Sequence, residues 1–253
     1  MRIIRVEHGG TSYYGILEDG LVFRLHQQPG HMEPIPLSEA KVLPLVTPSK
    51  VVCVGLNYKA HAEELGYPLP NMPSFFLKPP SSIIGNGEPI VLPSGMGRIE
   101  HEAELAMVVG KVCRNLTPEE AEESLFGFTC ANDVTAREVQ KVDPLIGHCK
   151  SYDTFCPIGP WIETELEDIN DLSIRCLVNG EVRQSANTGD MIFRPLDLLC
   201  FLSRVMTLMP GDVILTGTPP GISPIQADDV VQVSIEGIGT LSNPVEGPGP
   251  EEK

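Results

Sequence analysis

The sequence His101-Glu102-Ala103-Glu104-Leu105 leads into an apolar run that ends at Val109, and about thirty residues later comes Asn132-Asp133-Val134-Thr135-Ala136-Arg137. In an extended strand, residues i and i+2 point to the same face, roughly 6.6 Å apart along the chain, so Glu102 and Glu104 would lie side by side. Two carboxylates this close repel each other unless a cation or a proton lies between them. With Asp133 as a third carboxylate, they would form an all-oxygen site for a hard divalent cation, Mg²⁺ or Mn²⁺.

Spacing leaves alternatives to this metal site open. Glu100 lies on the same face of the predicted strand and could be a ligand on spacing alone. The acids could also line the solvent-facing side of an edge strand. If they do form a cluster, we expect Glu102→Ala or Asp133→Ala to cost little stability without metal, because removing one acid relieves repulsion. Glu100→Gln should then leave the activity of the protein nearly unchanged.

The charge of the chain limits its partners. Among 253 residues, 18 are Lys or Arg and 34 are Asp or Glu, so the formal net charge is −16. A surface this acidic repels phosphate backbones, and nucleic acid is not expected as a partner. An anionic substrate would therefore need a locally positive site, which a metal ion with a few lysines and arginines would supply.

Cysteine usage and hydropathy predict a soluble cytoplasmic protein. The seven cysteines are scattered, form no CxxC pair and mostly have apolar neighbours, as in Val52-Cys53-Val54. This pattern indicates buried free thiols in a reducing compartment. The N-terminal residues lack a secretory apolar region, and no apolar stretch approaches the ~18 residues of a membrane span.

The chain divides into three predicted parts, which are a small N-terminal β domain (1–47), a catalytic domain (48–245) and a disordered tail (246–253). In the first part, the apolar runs Tyr13–Leu17 and Leu21–Leu25 flank an Asp-Gly pair, which predicts a hairpin. The tail consists of Gly, Pro and acidic residues with too little apolar surface to pack. Many short strands and only two or three helices indicate a β-dominated α+β fold.

Several elements of the catalytic domain can be placed from local signals. We predict a strand at Val51–Leu56, helical character at Asn57–Gly66 and a mobile loop at Pro68–Pro80. Thr117-Pro118-Glu119-Glu120 is a capping box that opens a helix running to about Leu125. The remaining predictions are a hairpin around Asn179-Gly180, an amphipathic helix at Pro195–Leu208 and a strand at Val213–Leu215.

His61 and Glu64 form a candidate catalytic pair. Three residues apart on a helix, they share a face and can form a hydrogen bond. A carboxylate that orients an imidazole makes it a better general base for water. An exposed helical pair without function is the alternative, and the nearby Glu63 and the more distant His31 are further candidates.

Lys78, Lys150 and the loop Thr216–Gly221 are candidate anion contacts. In a chain with few basic residues, lysines beside aromatic runs could be held for an anion, although a lysine that extends along the surface to solvent is the ordinary alternative. The loop follows a predicted strand and can present backbone N–H groups to a carboxylate. It lacks the GK[ST] of a phosphate loop, and a plain turn is the alternative.

In this order, the motifs resemble those of the fumarylacetoacetate hydrolase family over about residues 50–245. The matching segments are Val54-Gly55-Leu56-Asn57-Tyr58 with His61 and Glu64, Phe76-Leu77-Lys78-Pro79, His101–Leu105, Asn132–Arg137, Lys150–Pro157 and Leu215–Gly221. Six motifs in order are far more specific than any one of them.

The resemblance implies a β-roll of mixed sheets, usually in a homodimer, with a short N-terminal extension. It implies Mg²⁺ or Mn²⁺ held by Glu102, Glu104 and Asp133, which leaves Glu100 out. His61 and Glu64 would be the water-activating pair on a lid, and Lys150 the active-site lysine. The predicted substrate contacts are Lys78, Arg137, Gly217 and Thr218. Unlike in many relatives, the stretch Leu145–Cys149 before Lys150 is short and mostly apolar, and we expect it to line the substrate entrance.

The predicted substrate is a small 2-oxo acid whose carboxylate and 2-oxo oxygens would chelate the metal, which would stabilise an enolate. We expect hydrolysis of the C–C bond of an acylpyruvate-like 2,4-dioxo acid. The alternatives are isomerisation of 2-hydroxyhepta-2,4-diene-1,7-dioate and decarboxylation or tautomerisation of oxaloacetate. A metal-stabilised scaffold without turnover, in which the acids hold a structural Ca²⁺, is the non-enzymatic alternative.

Overall fold

The structure, a computed structural model, describes residues 1–25, 33–143 and 145–248. Its first strands are β1 (Arg2–His8), β2 (Thr11–Glu18), β3 (Leu21–Arg24), β4 (Ile35–Pro36), β5 (Lys41–Val42), β6 (Val51–Gly55), β7 (Ser74–Lys78), β8 (Ile83–Ile84), β9 (Ile90–Val91) and β10 (Ile99–Glu100). The later strands are β11 (Ala103–Val109), β12 (Leu125–Asn132), β13 (Thr135–Ala136), β14 (Cys156–Glu163), β15 (Ser173–Val178), β16 (Glu181–Asn187), β17 (Val213–Leu215), β18 (Val230–Ile235) and β19 (Gly239–Glu246). The α-helices are α1 (Lys59–Leu65), α2 (Pro118–Glu122), α3 (Arg137–Val142), α4 (Gly147–Lys150) and α5 (Pro195–Val205).

A large mixed sheet forms the centre of the protein, in the order β4-β3-β2-β1-β14-β12-β11-β17-β6-β7. Most of its neighbours are antiparallel, whereas β17 and β6 are parallel. A second sheet, in the order β16-β15-β18-β19-β9, packs against it, and β10 pairs with β13 as a small separate ladder. The predicted β-dominated α+β fold with mixed sheets is therefore confirmed.

The strand β11 explains why an apolar run follows Glu104. All seven of its residues are buried. Leu105, Met107 and Val109 pack into one hydrophobic cluster, whereas Ala106 and Val108 pack into a second cluster on the other face of the sheet. Because β11 lies between β12 and β17, it is a central strand buried on both faces.

The N-terminal strands extend the large sheet. Ile3 on β1 pairs with Ile162 on β14. Ile3, Ile4 and Val6 also share a hydrophobic cluster with Ala106 and Val108 of β11. The N-terminal unit and the rest of the chain thus have a hydrophobic core in common, and the division at residue 47 stays a prediction.

Most elements predicted from local signals are present. The two hairpins turn at Asp19-Gly20 and Asn179-Gly180, where Gly20 and Gly180 have positive φ. Thr117 forms the expected capping box with Glu120 at the start of α2. The helix ends at Glu122 instead of Leu125, where β12 begins, and α5 ends at Val205 instead of Leu208.

The prediction of a loop throughout Pro68–Pro80 is wrong. Residues 74–78 form β7, which pairs antiparallel with β6 at the edge of the large sheet. The prolines on both sides concealed this strand, because they are typical of loops. Two short helices, α3 and α4, were also missed, and neither begins with a side-chain cap that the sequence could reveal.

Other features of the chain concern its sulfur atoms, its hydropathy and its ends. All seven cysteines are buried and free, as predicted. In the described ranges, no helix combines the length and the apolar character needed to cross a membrane.

β19 ends at Glu246, one residue past the predicted domain boundary. His31 and residues 249–253 of the predicted tail lie outside the described residues.

Candidate metal centre and active site

Three acidic side chains meet at the adjoining ends of β11 and β12. Glu104 belongs to β11, Glu102 precedes it by two residues, and Asp133 follows the last residue of β12. The Asp133 N–H donates to the Glu102 carbonyl (2.9 Å), which ties the two segments together. One carboxylate oxygen from each residue lies within 4.8 Å of the others, and all three residues are buried. The alternative of an exposed edge strand is therefore wrong.

Glu100 does not join this group. It lies on β10, and His101 and Glu102 separate this strand from β11. The predicted continuous strand is therefore broken. The Glu100 carboxylate forms ion pairs with Arg98 and Arg137 instead. The break in the strand is what separates Glu100 from the acids two and four residues later.

Three basic side chains, two of them buried lysines, neutralise the acidic cluster. Lys150 Nζ lies 2.8 Å from Glu102 Oε2 and 2.6 Å from Asp133 Oδ2. Lys78 Nζ lies 2.5 Å from Asp133 Oδ1 and 2.7 Å from the Phe155 carbonyl oxygen. Arg137 pairs with Glu102 as well as with Glu100. Because both lysines are buried, the alternative that they extend along the surface is wrong.

The charges in the cluster are set by burial and by these partners. Burial alone would raise the pKa of Glu102, but Lys150 and Arg137 more than offset it and hold this pKa below its usual range. Burial, together with Asp133 and Glu102, raises the pKa of Glu104 well above its usual range. Burial would lower the pKa of Lys150, but Asp133 and Glu102 outweigh it and raise this pKa. Glu104 is thus the acid whose neutral form the protein favours, and a cation would have to displace its proton.

Groups other than Lys150 bind one oxygen of each carboxylate. Glu102 Oε1 accepts from Thr135 Oγ1 and Arg137, Asp133 Oδ1 accepts from Lys78, and Glu104 Oε2 accepts from the Gly217 N–H. The other oxygens are Glu104 Oε1 and the two that Lys150 binds, Glu102 Oε2 and Asp133 Oδ2. Three carboxylate oxygens fit a hard divalent cation, and a small ion such as Mg²⁺ or Mn²⁺ commonly takes its other ligands from water or substrate.

His61 and Glu64 form the expected pair on α1. His61 Nδ1 lies 2.8 Å from Glu64 Oε2, and the His61 side chain is only 7% exposed, so the alternative of an exposed pair is wrong for this residue. The second oxygen of Glu64 accepts from the Gly221 N–H (3.0 Å). The helix ends at Leu65 and is capped by Gly66, which adopts the left-handed conformation that glycine favours. α1 is thus fastened to the loop Thr216–Gly221 through Glu64.

The loop Thr216–Gly221 presents backbone N–H groups to carboxylates of the protein, Glu104 and Glu64, and its contact with a substrate stays a prediction. Gly217 has φ +97°, and a Cβ at this position would come within 2.6 Å of Asn57 Cβ. Only glycine therefore allows the close approach in which the Gly217 N–H reaches Glu104. The Thr218 hydroxyl donates to the Ala103 carbonyl (2.9 Å), so its proton is already committed within the protein.

Sequence reasoning missed Gln184 on β16, which supports both the loop and the acidic segment. Gln184 Oε1 accepts from the Ala103 N–H (3.0 Å), and Nε2 donates to Thr218 Oγ1 (2.8 Å) and the Pro219 carbonyl (2.7 Å). His101 Nδ1 lies 3.0 Å from Gln184 Oε1. Gln184 comes from the second sheet, and no local pattern marks it.

We expect Gln184→Leu to lower the free energy of unfolding by about 2–3 kcal/mol, because it leaves several buried polar groups without their partner. Urea denaturation monitored by circular dichroism measures the change. Gln232→Leu on β18 is the matched control, since the Gln232 side chain makes no hydrogen bond within the described part of the chain. Equal stability of the two variants would contradict the supporting role of Gln184.

A cavity of about 300 Å³ opens onto the acidic cluster. His61, Lys150, Arg137 and Thr218 line it together with Glu102, Glu104 and Asp133. Its apolar wall consists of Val54, Leu56, Leu65, Tyr67, Phe76 and Ile146. Ile146 belongs to the stretch expected at the substrate entrance. Two predicted substrate contacts, Lys78 and Gly217, are not among the lining residues. They bind Asp133 and Glu104 instead, on the side away from the cavity.

Comparison with known proteins places this arrangement in a family. The model of the fumarylacetoacetate (FAA) hydrolase C-terminal domain matches residues 50–246. The chain belongs to this family. Residues 1–44 match a second model, the Rv2993c-like N-terminal domain. The fumarylacetoacetate hydrolase family consists of enzymes that use a divalent metal, and the buried acidic cluster fits such an ion.

Individual members of the fumarylacetoacetate hydrolase family differ in activity. Human mitochondrial oxaloacetate tautomerase FAHD2A is 42% identical over 83% of this chain and 71% of its own length. The crystal structure of 5-carboxymethyl-2-hydroxymuconate delta-isomerase from Mycobacterium smegmatis has a TM-score of 0.91 and 42% identity, covering 99% of this chain and all of that one. Maleylpyruvate hydrolase from Sphingobium sp. SYK-6, solved with manganese (II) and pyruvate, has a TM-score of 0.83 and 30% identity, covering 98% of this chain and all of that one.

Proposed function

We propose that this protein hydrolyses a C–C bond of an acylpyruvate-like 2,4-dioxo acid with Mg²⁺ or Mn²⁺ as its cofactor. The observation that carries the proposal is the buried His61, which pairs with Glu64 (2.8 Å) and lines the same cavity as the three acids. The bound cation would act as a Lewis acid on the 2-oxo acid, with Glu102, Glu104 and Asp133 as its ligands. Maleylpyruvate hydrolase, which binds manganese and pyruvate, supports this choice.

The histidine pair supplies a base for water. Glu64 accepts a hydrogen bond from His61 Nδ1, so Nε2 carries the lone pair that can take a proton. Water loses this proton to His61 and attacks the distal carbonyl carbon. The bond between that carbon and C3 then breaks, and its electrons leave on C3 as the enolate of pyruvate. His61 returns the proton to C3, which yields pyruvate and a carboxylic acid.

The cavity suits an acyl group at the distal end of the substrate. Leu65, Tyr67 and Ile146 form an apolar wall. Lys150 and Arg137 are the basic residues of this cavity, and both are held at the acidic cluster. A hydrocarbon acyl group is therefore a better match for the wall than a second carboxylate. Positive charge from Lys150 and Arg137 would serve the carboxylate next to the 2-oxo group.

Proton transfer without hydrolysis is the second candidate, as a keto–enol tautomerase or an isomerase. The names of the human and M. smegmatis relatives support it. The same histidine could take a proton directly from C3 and return it elsewhere, so the site needs no additional group for this reaction. Decarboxylation of oxaloacetate would use the same enolate and need no water.

A panel of substrates tests the proposal. Purified protein with Mg²⁺ or Mn²⁺ should release pyruvate from acetylpyruvate and longer acylpyruvates, and excess EDTA should abolish this release. A lactate dehydrogenase assay measures pyruvate, and the absorbance of the enol of oxaloacetate follows tautomerisation. Tautomerisation without pyruvate release would favour the second candidate. Inactivity towards every compound would favour the metal-stabilised scaffold.

We also propose that the protein is a homodimer in a reducing compartment. The resemblance to fumarylacetoacetate hydrolases supports a homodimer, and the buried free thiols support a reducing compartment such as the cytoplasm. Size-exclusion chromatography with light scattering tests the dimer.

A further inference from the structure

We propose that Lys150 and the divalent cation exchange places. In the arrangement described here, the Lys150 ammonium group bridges Glu102 and Asp133. A cation that binds these acids displaces the ammonium group into the cavity, where it becomes the positive group that meets the substrate. This inference rests on the proposed metal centre. It adds that binding of the cation also moves the Lys150 ammonium group into the cavity.

Lys150 occupies two of the three oxygens that a cation would use. Its Nζ bonds Glu102 Oε2 (2.8 Å) and Asp133 Oδ2 (2.6 Å). The other oxygens of both carboxylates accept from Thr135, Arg137 and Lys78. A divalent cation on the two Lys150-bound oxygens would come next to a positive ammonium group, and the two repel each other strongly in a buried site. The same oxygens therefore cannot keep Lys150 when they hold a cation.

The Lys150 ammonium group already lies over an aromatic ring on the cavity wall. Its Nζ lies 5.1 Å from the centre of the Phe76 ring, and both residues line the cavity. An ammonium group over an aromatic face is stabilised by the ring electrons. The flexible four-carbon stem of lysine allows such a rotation without movement of the backbone. Phe76 can thus keep its contact with the ammonium group when Lys150 leaves the acids.

The other two basic residues of the cluster are held differently. Lys78 is buried behind Asp133 and also donates to the Phe155 carbonyl oxygen (2.7 Å). Arg137 bonds the Glu102 oxygen that Thr135 also binds, and it pairs with Glu100. Neither contacts the oxygens left for a cation, so both stay in place when one binds. Lys150 is therefore distinguished from Lys78 and Arg137 by the oxygens that it occupies.

Reductive methylation tests the exchange in the wild-type protein. Lys150 is only 4% exposed, so formaldehyde with cyanoborohydride should modify it slowly in protein treated with EDTA. Adding saturating Mg²⁺ should raise the methylation rate of Lys150 by about tenfold, since a group that leaves a buried ion pair becomes accessible. Mass spectrometry of peptides measures both rates. Lys78 is the internal control and should stay unmodified under both conditions.

The outcomes separate this inference from the proposed metal centre. Isothermal titration of the same sample with Mg²⁺, and with Mn²⁺, reports whether a cation binds. If neither binds, the metal centre itself is wrong and the inference is overturned with it. If a cation binds and Lys150 stays protected, the exchange is overturned while the metal centre stands. In Glu104→Gln, which weakens the site without contacting Lys150, the same Mg²⁺ concentration should expose Lys150 less.

Cation affinity provides a second measurement. Lys150→Met removes the competitor and should tighten Mg²⁺ binding by about tenfold, whereas Arg137→Met, which removes an equal charge from Glu102, should change it by about twofold through electrostatics alone. Equal effects of the two substitutions would mean that only charge matters, and the exchange would be overturned.

Discussion

Asp133→Asn should lower the free energy of unfolding in EDTA by about 3–5 kcal/mol, because it removes one partner of a buried ion-pair network and leaves basic groups uncompensated. Asp133 accepts from Lys78 and Lys150 through its two oxygens. Lys78 Nζ is fully buried and has Asp133 as its acidic partner in the described residues. This reverses the expectation from sequence, in which removing one acid relieves repulsion. The three basic residues account for the difference, since they already offset that repulsion.

Thermal and chemical denaturation in EDTA measure this effect. Glu104→Gln is the matched control, because burial and its acidic neighbours raise the pKa of Glu104 and favour its neutral form, which glutamine imitates. Glu104→Gln should therefore leave the metal-free stability nearly unchanged, although it removes a proposed ligand. Both variants should lose pyruvate release. Equal destabilisation by the two substitutions would show that the charges are not distributed as described.

His61→Ala should reduce pyruvate release from an acylpyruvate by about 10²–10⁴-fold, the usual contribution of a general base. His61 is the imidazole that lines the cavity, and Glu64 orients it through Nδ1. Decarboxylation of oxaloacetate, which needs no activated water, should change much less in the same variant. Steady-state kinetics with both substrates at saturating Mg²⁺ measure the two rates.

Controls distinguish a lost base from a disturbed helix. Glu63→Ala changes an exposed neighbour on α1 and should keep pyruvate release near the wild-type rate. Cation affinity should be unchanged in His61→Ala, because the histidine is not one of the clustered acids. Unchanged acylpyruvate turnover in His61→Ala would rule out its role in activating water.

The acidic cluster could be predicted from the sequence, by strand alternation and by the family resemblance. Alternation along a strand predicts that Glu102 and Glu104 share a face, and the family resemblance adds Asp133. Alternation could not exclude Glu100, since the interruption between β10 and β11 depends on tertiary hydrogen bonds such as that from the His101 N–H to the Ser223 carbonyl. The continuous apolar run of β11 indicated burial, but not that the strand lies in the middle of the large sheet.

The surroundings of the cluster could not be predicted in the same way. Lys78 lies on β7, which local signals assigned to a loop, and its place behind Asp133 follows from the pairing of β7 with β6. Gln184 reaches the site from the second sheet, about eighty residues further along the chain than Ala103, which it binds. Such contacts arise from sheet packing, for which the sequence carries no local signal.

The two contacts of the Glu64 carboxylate couple the position of α1 to the position of the loop Thr216–Gly221. One oxygen orients His61 and the other holds the Gly221 N–H, so α1 cannot swing away from the loop without breaking the latter bond. Because His61 lies on the same helix, a movement of α1 away from the loop would also withdraw the imidazole from the cavity. The protein would then be unable to activate water while α1 is displaced.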